Sequence, residues 1–278
     1  MTNAVTDLTA ITDSLSEPDY HSHAALSQSG AKTLLQSPAR FNYERTHPCP
    51  PSTAMEHGTI AHGLVLGSGP RIVALDFPDW RTKAAQLAAE LAREVGDVPV
   101  LAKDYARIVA MAAKLREHTL AMELLAAATI KESSIFATCP VTGVPMRGRA
   151  DALTPTLILD YKTTAKPDAR AFGKSASDYG YHVQAGWYLD LLEYLGQPRD
   201  GFAFIVQSKT PPYEVAVVEL VPSAVNYGRE LGVIARERFR DCTASGLWPG
   251  AVDPRAVLVV DLPPWGYRDN DYTEEVAT

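Results

Sequence analysis

Apolar positions along the chain change period near residue 130. Upstream, between 80 and 128, they recur with helical spacing. Ala84, Leu87, Ala88, Leu91 and Val95 form one stripe, closed by Gly96-Asp97. Ile108, Met111 and Leu115 form another, in a helix that starts at Asp104. From 130 onward the alternation is that of strands. Ser134-Ile135-Phe136-Ala137 turns at Thr142-Gly143, returns through Met146 to Leu153, and turns again at Thr154-Pro155-Thr156 into a third strand over 156–161. The pattern predicts a three-stranded meander.

Helical spacing resumes over 177–195, followed by strands at 202–208 and 213–220 joined through Pro211-Pro212. A long amphipathic helix then runs from Pro222 to about Ser245, with Val225, Leu231, Ile234, Ala235 and Phe239 on one side. Near the start, Ser27 or Ser29 caps a helix carrying Leu34 and Leu35 that breaks at Pro38. A proline-rich loop spans 47–51, and 55–66 reads as a buried helix with His62 in its middle. Residues 1–20 are polar and aperiodic, expected to be a loosely held tail. From 256 an apolar run (AVLVV) precedes Pro263-Pro264-Trp265. The order predicts an α/β fold with a mixed central β-sheet flanked by α-helices, the meander forming its middle strands. One domain is expected over 21–265, with tails at 1–20 and 266–278.

Composition narrows the class without naming the chemistry. The chain has 278 residues, 46% hydrophobic and 21% charged, as in an ordinary globular protein. No stretch approaches 18 uninterrupted apolar residues, so no membrane span is expected. The first residues lack the basic and apolar regions of a secretory signal, and the expected location is cytoplasmic. Cys49, Cys139 and Cys242 are far apart, which argues against a disulfide scaffold, a zinc site or an iron–sulfur cluster. Net charge is −7, a poor overall match to a nucleic-acid binder. Yet Arg147, Arg149, Lys162, Lys166, Arg170 and Lys174 face only Asp151, Asp160 and Asp168 across the same stretch. One locally basic segment in an acidic protein suits an anionic substrate drawn to a single cleft; a solvated charged loop would carry the same charges.

That segment holds the most informative chemistry. Asp151 and Asp160 are mirror positions about the 154–156 turn, so in a hairpin their Cβ atoms face each other at roughly 5 Å. Strand alternation puts Asp160 and Lys162 on one face and Tyr161 on the other. Of the 9 lysines, Lys162 alone has an acid two positions before it. Two carboxylates and an ammonium on one patch can hold a hard divalent cation and activate a water beside it. The plainer reading is a surface hairpin with a cross-strand ion pair.

Arg147, Arg149 and Asp151 alternate along one strand, so the arginines can clamp a phosphate or make structural salt bridges. Gly148 between them leaves room for a backbone to approach. Gln184 and Tyr188 lie at i and i+4 on the following helix, where an amide and a phenol can reach a phosphate or simply pack. His62 has an imidazole suited to a metal, although a lone histidine in an apolar helix is often a core residue. Glu56 and Glu132 are further acids that nothing local marks. No G-x-x-x-x-G-K, G-x-S-x-G or H-E-x-x-H occurs.

Taken together, H…G-R-A-D…D-Y-K…Q-x-x-x-Y resembles the PD-(D/E)xK nuclease superfamily, and specifically its RecB-like branch. The blocks LSQSGAKTLLQSPARF, GTIAHGLVLG, TGVPMRGRADAL and LDYKTT resemble, in this order, the RecE-type exonuclease domain (exodeoxyribonuclease VIII). The resemblance covers about residues 20–265. It implies a restriction-endonuclease-like fold and a nuclease working on double-stranded DNA ends, from 5′ to 3′, in phage-type recombination. It implies His62, Asp151, Asp160 and the Tyr161 carbonyl as ligands of Mg²⁺, with Mn²⁺ as substitute. Lys162 would be the catalytic lysine, and Gln184 and Tyr188 would match the family's Q-x-x-x-Y helix. It further implies a homo-oligomeric ring and a single-strand-annealing protein partner. The chain departs from the superfamily pattern in having Ala150 before Asp151 and an aspartate at 160, variants the RecB-like branch contains. A structure-selective endonuclease of the same fold and a non-catalytic DNA-binding recombination module are the competing readings.

Overall fold

In the computed structural model, which describes residues 10–12, 15–47, 53–67 and 71–263, the chain opens with a short strand, β1 (Ala10–Thr12), and a brief helix, α1 (Glu17–Ser22). Strand β2 (Leu26–Ser27) runs into α2 (Gln28–Gln36), where the Ser27 hydroxyl accepts from the Gly30 amide and so is the cap. Pro38 ends that helix by opening the next, α3 (Pro38–Thr46), at the position where a missing N–H costs no hydrogen bond. Helix α4 (Thr53–Leu66) carries His62. Then follow β3 (Ile72–Leu75), α5 (Lys83–Glu94), β4 (Val98–Leu101), α6 (Ala102–Arg116) and α7 (Thr119–Ala126).

The expected meander is β5 (Ile130–Thr138), β6 (Pro145–Leu153) and β7 (Leu157–Thr164). Two helices, α8 (Ala169–Asp178) and α9 (Tyr181–Tyr194), precede β8 (Gly201–Ser208), β9 (Val215–Glu219) and α10 (Pro222–Ser245).

The main sheet has the order β1-β5-β6-β7-β8-β9, with β2 lying parallel beside β6. Neighbours are antiparallel except β7 and β8, which are parallel and connected over α8 and α9. Strands β7 and β8 are buried on both faces, which is why both read as apolar runs. Ile158, Phe202, Phe204 and Val206 pack with Leu34, Trp187, Leu191 and Phe239 from α2, α9 and α10. Leu159, Tyr161, Ala203 and Ile205 pack on the other face with Ile60, Ile108, Leu115 and Leu125 from α4, α6 and α7. The sheet is thus sandwiched between two helical layers, and β6 and β7 lie at its middle, as expected.

Several expectations are corrected. The tail expected over 1–20 is partly structured, since β1 pairs with the edge of β5 and α1 carries the buried Tyr20. The single helix expected over 177–195 is two, because Gly180 adopts φ +65° and turns the chain between α8 and α9. Strands β3 and β4, unforeseen, form a separate parallel pair. Helix α5 turns the opposite face inward: Ala85, Ala89 and Ala92 are buried, whereas Leu87, Leu91 and Val95 are exposed. Small residues let that helix approach the β3–β4 pair closely, and this tertiary demand overrides the hydrophobic stripe. On α10, Ile234 points outward while Gly228, Gly232, Ala235, Arg236 and Phe239 are buried. The apolar run at 256–260 is exposed and belongs to no helix or strand. Pro264, Trp265, the tail beyond them and most of the 47–51 loop lie outside the described residues.

Helices α9 and α10 cross at two glycines. A Cβ on Gly228 would lie 1.9 Å from the His182 carbonyl oxygen, and one on Gly186 would lie 2.6 Å from the Arg229 nitrogen. This backbone contact seats α9 against the sheet, with Gln184 and Tyr188 facing β6 and β7.

Candidate active site

The hairpin between β6 and β7 has the register the turn dictates. Leu153 pairs with Ile158 and Ala152 with Leu159. The next pair in that register is Asp151 with Asp160, and there the strand ladder ends. The Asp151 carboxylate replaces it: Oδ2 accepts the Tyr161 backbone N–H at 2.7 Å. An acid has entered the gap between two central strands, which fixes its position without any turn or loop.

His62 reaches the same carboxylate from α4, with Nδ1 3.2 Å from Asp151 Oδ2. Its ring stands edge-on to the Tyr161 ring at 5.3 Å. Tyr161 points to the face opposite Asp160 and Lys162, as alternation requires, and donates its hydroxyl to Gln207 Oε1 at 2.7 Å. Glu132 completes the group. It faces Asp151 from β5, between the pairs Lys131–Ala152 and Ser133–Ala150, and its φ of +51° is a left-handed conformation that non-glycine residues rarely adopt. Ligand atoms of His62, Glu132 and Asp151 all lie within 4.8 Å of one another. Backbone strain of this kind concentrates where function demands a set geometry.

Asp160 and Lys162 share the face toward α9. Lys162 Nζ is 2.7 Å from Asp160 Oδ2, and Gln184 donates its amide to Asp160 Oδ1 at 2.6 Å. The Lys162 ammonium also stands 5.3 Å from the Tyr181 ring centroid. Burial by itself would lower the Lys162 pKa, but the Asp160 and Asp151 carboxylates outweigh it and hold the group above the ordinary lysine range. Lys162 is therefore a fixed cation at neutral pH.

The remaining expected residues are brought near the site but differently engaged. Tyr188 lies behind β6, where its hydroxyl accepts from the Arg149 N–H at 2.9 Å and donates to the Arg149 carbonyl at 2.7 Å. The space left by Gly148 takes the Tyr188 ring and Leu191, not a backbone. Arg147 donates to the Tyr20 and His21 carbonyls, and Arg149 to the Leu15 carbonyl and Ser134 Oγ. Both guanidinium groups lie over the Tyr20 ring. The phosphate clamp expected of the arginines is thus replaced by a brace for the segment 15–21. The local positive charge that remains exposed is carried by Lys166 and Arg170, since Lys174 is ion-paired with Asp178. Glu56 lies in α4, but its side chain is outside the described residues.

This donor set suits a divalent cation. One imidazole and two carboxylates converge, and the buried Asp160 Oδ2 has no hydrogen bond of proper geometry besides its ion pair with Lys162. Burial, reinforced by the charge of Asp160, pushes the Asp151 carboxyl up to about 7 against the opposing pull of His62, Lys162 and the Tyr161 amide. A carboxyl that holds its proton more tightly when folded stabilises the fold below the ordinary pKa of 3.8, and that contribution is lost as the pH climbs to about 7. A cation that displaces the proton offsets the loss. Mn²⁺ is therefore expected to raise the melting temperature more at pH 8 than at pH 6, and Asp151→Asn is expected to remove the shift. Thermal denaturation with and without EDTA checks this; equal shifts at both pH values, or an unchanged shift in the variant, would refute it.

Comparison with known proteins bears on the family and the fold. The chain matches the family described as a PDDEXK-like domain of unknown function (DUF3799) over residues 27–253. Its fold is similar to the crystal structure of the Eubacterium rectale protein named "Putative exonuclease", with a TM-score of 0.60 and 12% sequence identity over 91% of this chain and 97% of that one. No curated protein matches the chain in sequence. Among the described residues no helix is long and apolar enough to cross a membrane.

Proposed function

We propose, from the premise that this chain belongs to the PDDEXK-like family DUF3799, that it is a metal-dependent deoxyribonuclease acting on the ends of linear double-stranded DNA. The observation that carries the reading is the meeting of two groups on the central strands. The Asp160–Lys162 ion pair lies beside the cluster of His62, Glu132 and Asp151. An ion pair needed only for stability gains nothing from a neighbouring imidazole and two more acids in a half-buried place, where like charges repel.

In this reading His62, Glu132 and Asp151 hold a divalent cation, with Asp160 and the Tyr161 carbonyl as the further ligands implied by the RecE-type resemblance. Mg²⁺ is the ion proposed, with Mn²⁺ as substitute. Such a cation supplies Lewis-acid charge to a phosphate oxygen and acidifies a bound water. Lys162, cationic throughout the neutral range, orients the attacking water and offsets negative charge as it develops on the phosphate. It does so as an electrostatic group, because a lysine held above its ordinary pKa is a poor base. Gln184 keeps Asp160 aimed by occupying Oδ1, and Tyr188 fixes the β6 backbone that presents Asp151.

The resemblance further supports exonucleolytic digestion of one strand from 5′ to 3′, action as a homo-oligomeric ring, and work beside a single-strand-annealing protein in phage-type recombination. The decisive test is digestion of 5′- and 3′-labelled linear duplex, with covalently closed circular duplex alongside, in Mg²⁺ or EDTA. Mg²⁺-dependent loss of the 5′ label from linear DNA alone supports the exonuclease. Cutting of the circle assigns an endonuclease of the same fold, and no cutting in Mg²⁺ or Mn²⁺ removes the enzymatic reading.

A further inference from the structure

A second ammonium comes near Asp160 and Lys162 from an element the chemistry above does not use. Lys32 lies on α2, and its Nζ donates to the Tyr179 carbonyl at 2.9 Å. Tyr179 and Gly180 form the turn between α8 and α9, and Tyr181, the next residue, carries the ring 5.3 Å from Lys162 Nζ. The Lys32 stem lies directly against that turn, since a Cβ on Gly180 would stand 2.7 Å from Lys32 Cδ. The two lysines are therefore held on either side of one short turn, one from the sheet and one from a helix packed on it.

Resting on the nuclease reading, we propose that Lys32 is a substrate-binding residue whose ammonium grips the DNA phosphate neighbouring the one Lys162 serves. Three observations support this. Among the described residues Tyr179 is the hydrogen-bond acceptor recorded for Lys32, and an ammonium has three donors to offer. Burial, and next the like charge of Lys162, push Lys32 down to about 8, with Asp160 only partly opposing. Asp160 offsets the charge of Lys162 but only part of the burden on Lys32, and a phosphate beside Lys32 would offset the rest. Third, Tyr179 is 63% exposed with its ring 5.8 Å from that of Tyr181, and exposed aromatic rings beside cations are how single strands are commonly held.

The plain structural alternative is that Lys32 only anchors the last turn of α8, where a cation favours the helix C-terminus. Binding and anchoring differ in salt dependence. A lysine that contacts a phosphate contributes about one to the slope of log affinity against log salt, and an anchor contributes none.

The test is steady-state digestion of an end-labelled linear duplex in Mg²⁺ across a salt series, using wild type, Lys32→Met and Lys32→Arg. Lys32→Met is expected to raise KM roughly tenfold with kcat little changed, and to reduce the salt slope of kcat/KM by about one. Lys32→Arg is expected to restore both while the melting temperatures stay together. An unchanged KM and slope in Lys32→Met, with wild type active, overturns this role and leaves the nuclease reading intact. A lower melting temperature with an unchanged slope, unrepaired by arginine, also overturns it in favour of anchoring. A wild type that neither binds nor cuts duplex in Mg²⁺ or Mn²⁺ defeats the nuclease reading itself, and this role with it.

Discussion

Lys162→Ala is expected to lower metal-dependent release of nucleotides from linear duplex DNA by roughly 10²–10³-fold, the usual cost of losing one preorganised charge at a reacting phosphate or acyl centre. Asp160→Ala should cost at least as much, since it removes a proposed metal ligand together with the partner that positions Lys162. Asp160 is buried and Lys162 half-buried beneath α9, with side-chain exposures of 7% and 22%. Removing one member strands the other charge, and a loss of activity through unfolding would mislead. The double variant Lys162→Met/Asp160→Asn avoids this, because Gln184 can still hydrogen-bond an asparagine carbonyl. It should fold, as judged by circular dichroism and melting temperature, and remain inactive. Wild-type rates in both single variants would refute the assignment of this site. Wild-type metal binding with lost turnover in Lys162→Ala would instead support the division of labour between the cation cluster and the lysine.

The second large effect concerns stability. Gly228→Ala replaces a poor helix former by the best one, which in an open helix gains about 1 kcal/mol. Here the new methyl would lie 1.9 Å from the His182 carbonyl oxygen and 2.4 Å from its carbon. Both obstacles are backbone, so no rotamer change relieves them, and α10 has to lift from α9. The expected cost is about 3 kcal/mol, a fall in melting temperature of roughly 6–12 °C. Gly173→Ala on α8 is the matched control, because no atom lies within 4 Å of its added Cβ. That variant should be neutral or slightly more stable. Because α9 also carries Gln184, Gly228→Ala should lower activity below its own melting point as well. Comparable melting curves for the two alanine variants would show that the helix crossing is looser than its geometry implies.

The site was legible in the sequence to the extent that it is local. Asp151 and Asp160 stand opposite each other because a hairpin's register follows from its turn, and Lys162 shares the Asp160 face because side chains alternate along strands. Spacing and resemblance point to His62, Gln184 and Tyr188, and the helices around them form close to where the apolar period puts them. Nothing local in the sequence marks Glu132. Its part depends on a left-handed backbone at one residue of β5, and no side-chain pattern announces such a conformation. The arginines share strand β6 with Asp151, yet alternation does not foretell that α1 supplies the carbonyls Arg147 binds, or that Leu15 and Ser134 take Arg149. Lys32 lies well over a hundred residues from Lys162 in sequence, and only the packing of α2 on α9 makes them neighbours.

By itself, then, the amino-acid order determined the elements that rest on short-range physics: the meander, the acid–acid–lysine face and the mixed sheet between helices. Tertiary structure decided which face of α5 turns inward, where the helices cross, and which distant groups complete the cluster around Asp151. The difference has one cause. Periodicity and turn geometry act over a few bonds and are written residue by residue, whereas burial, close approach and charge depend on segments that meet only after the chain has closed on itself.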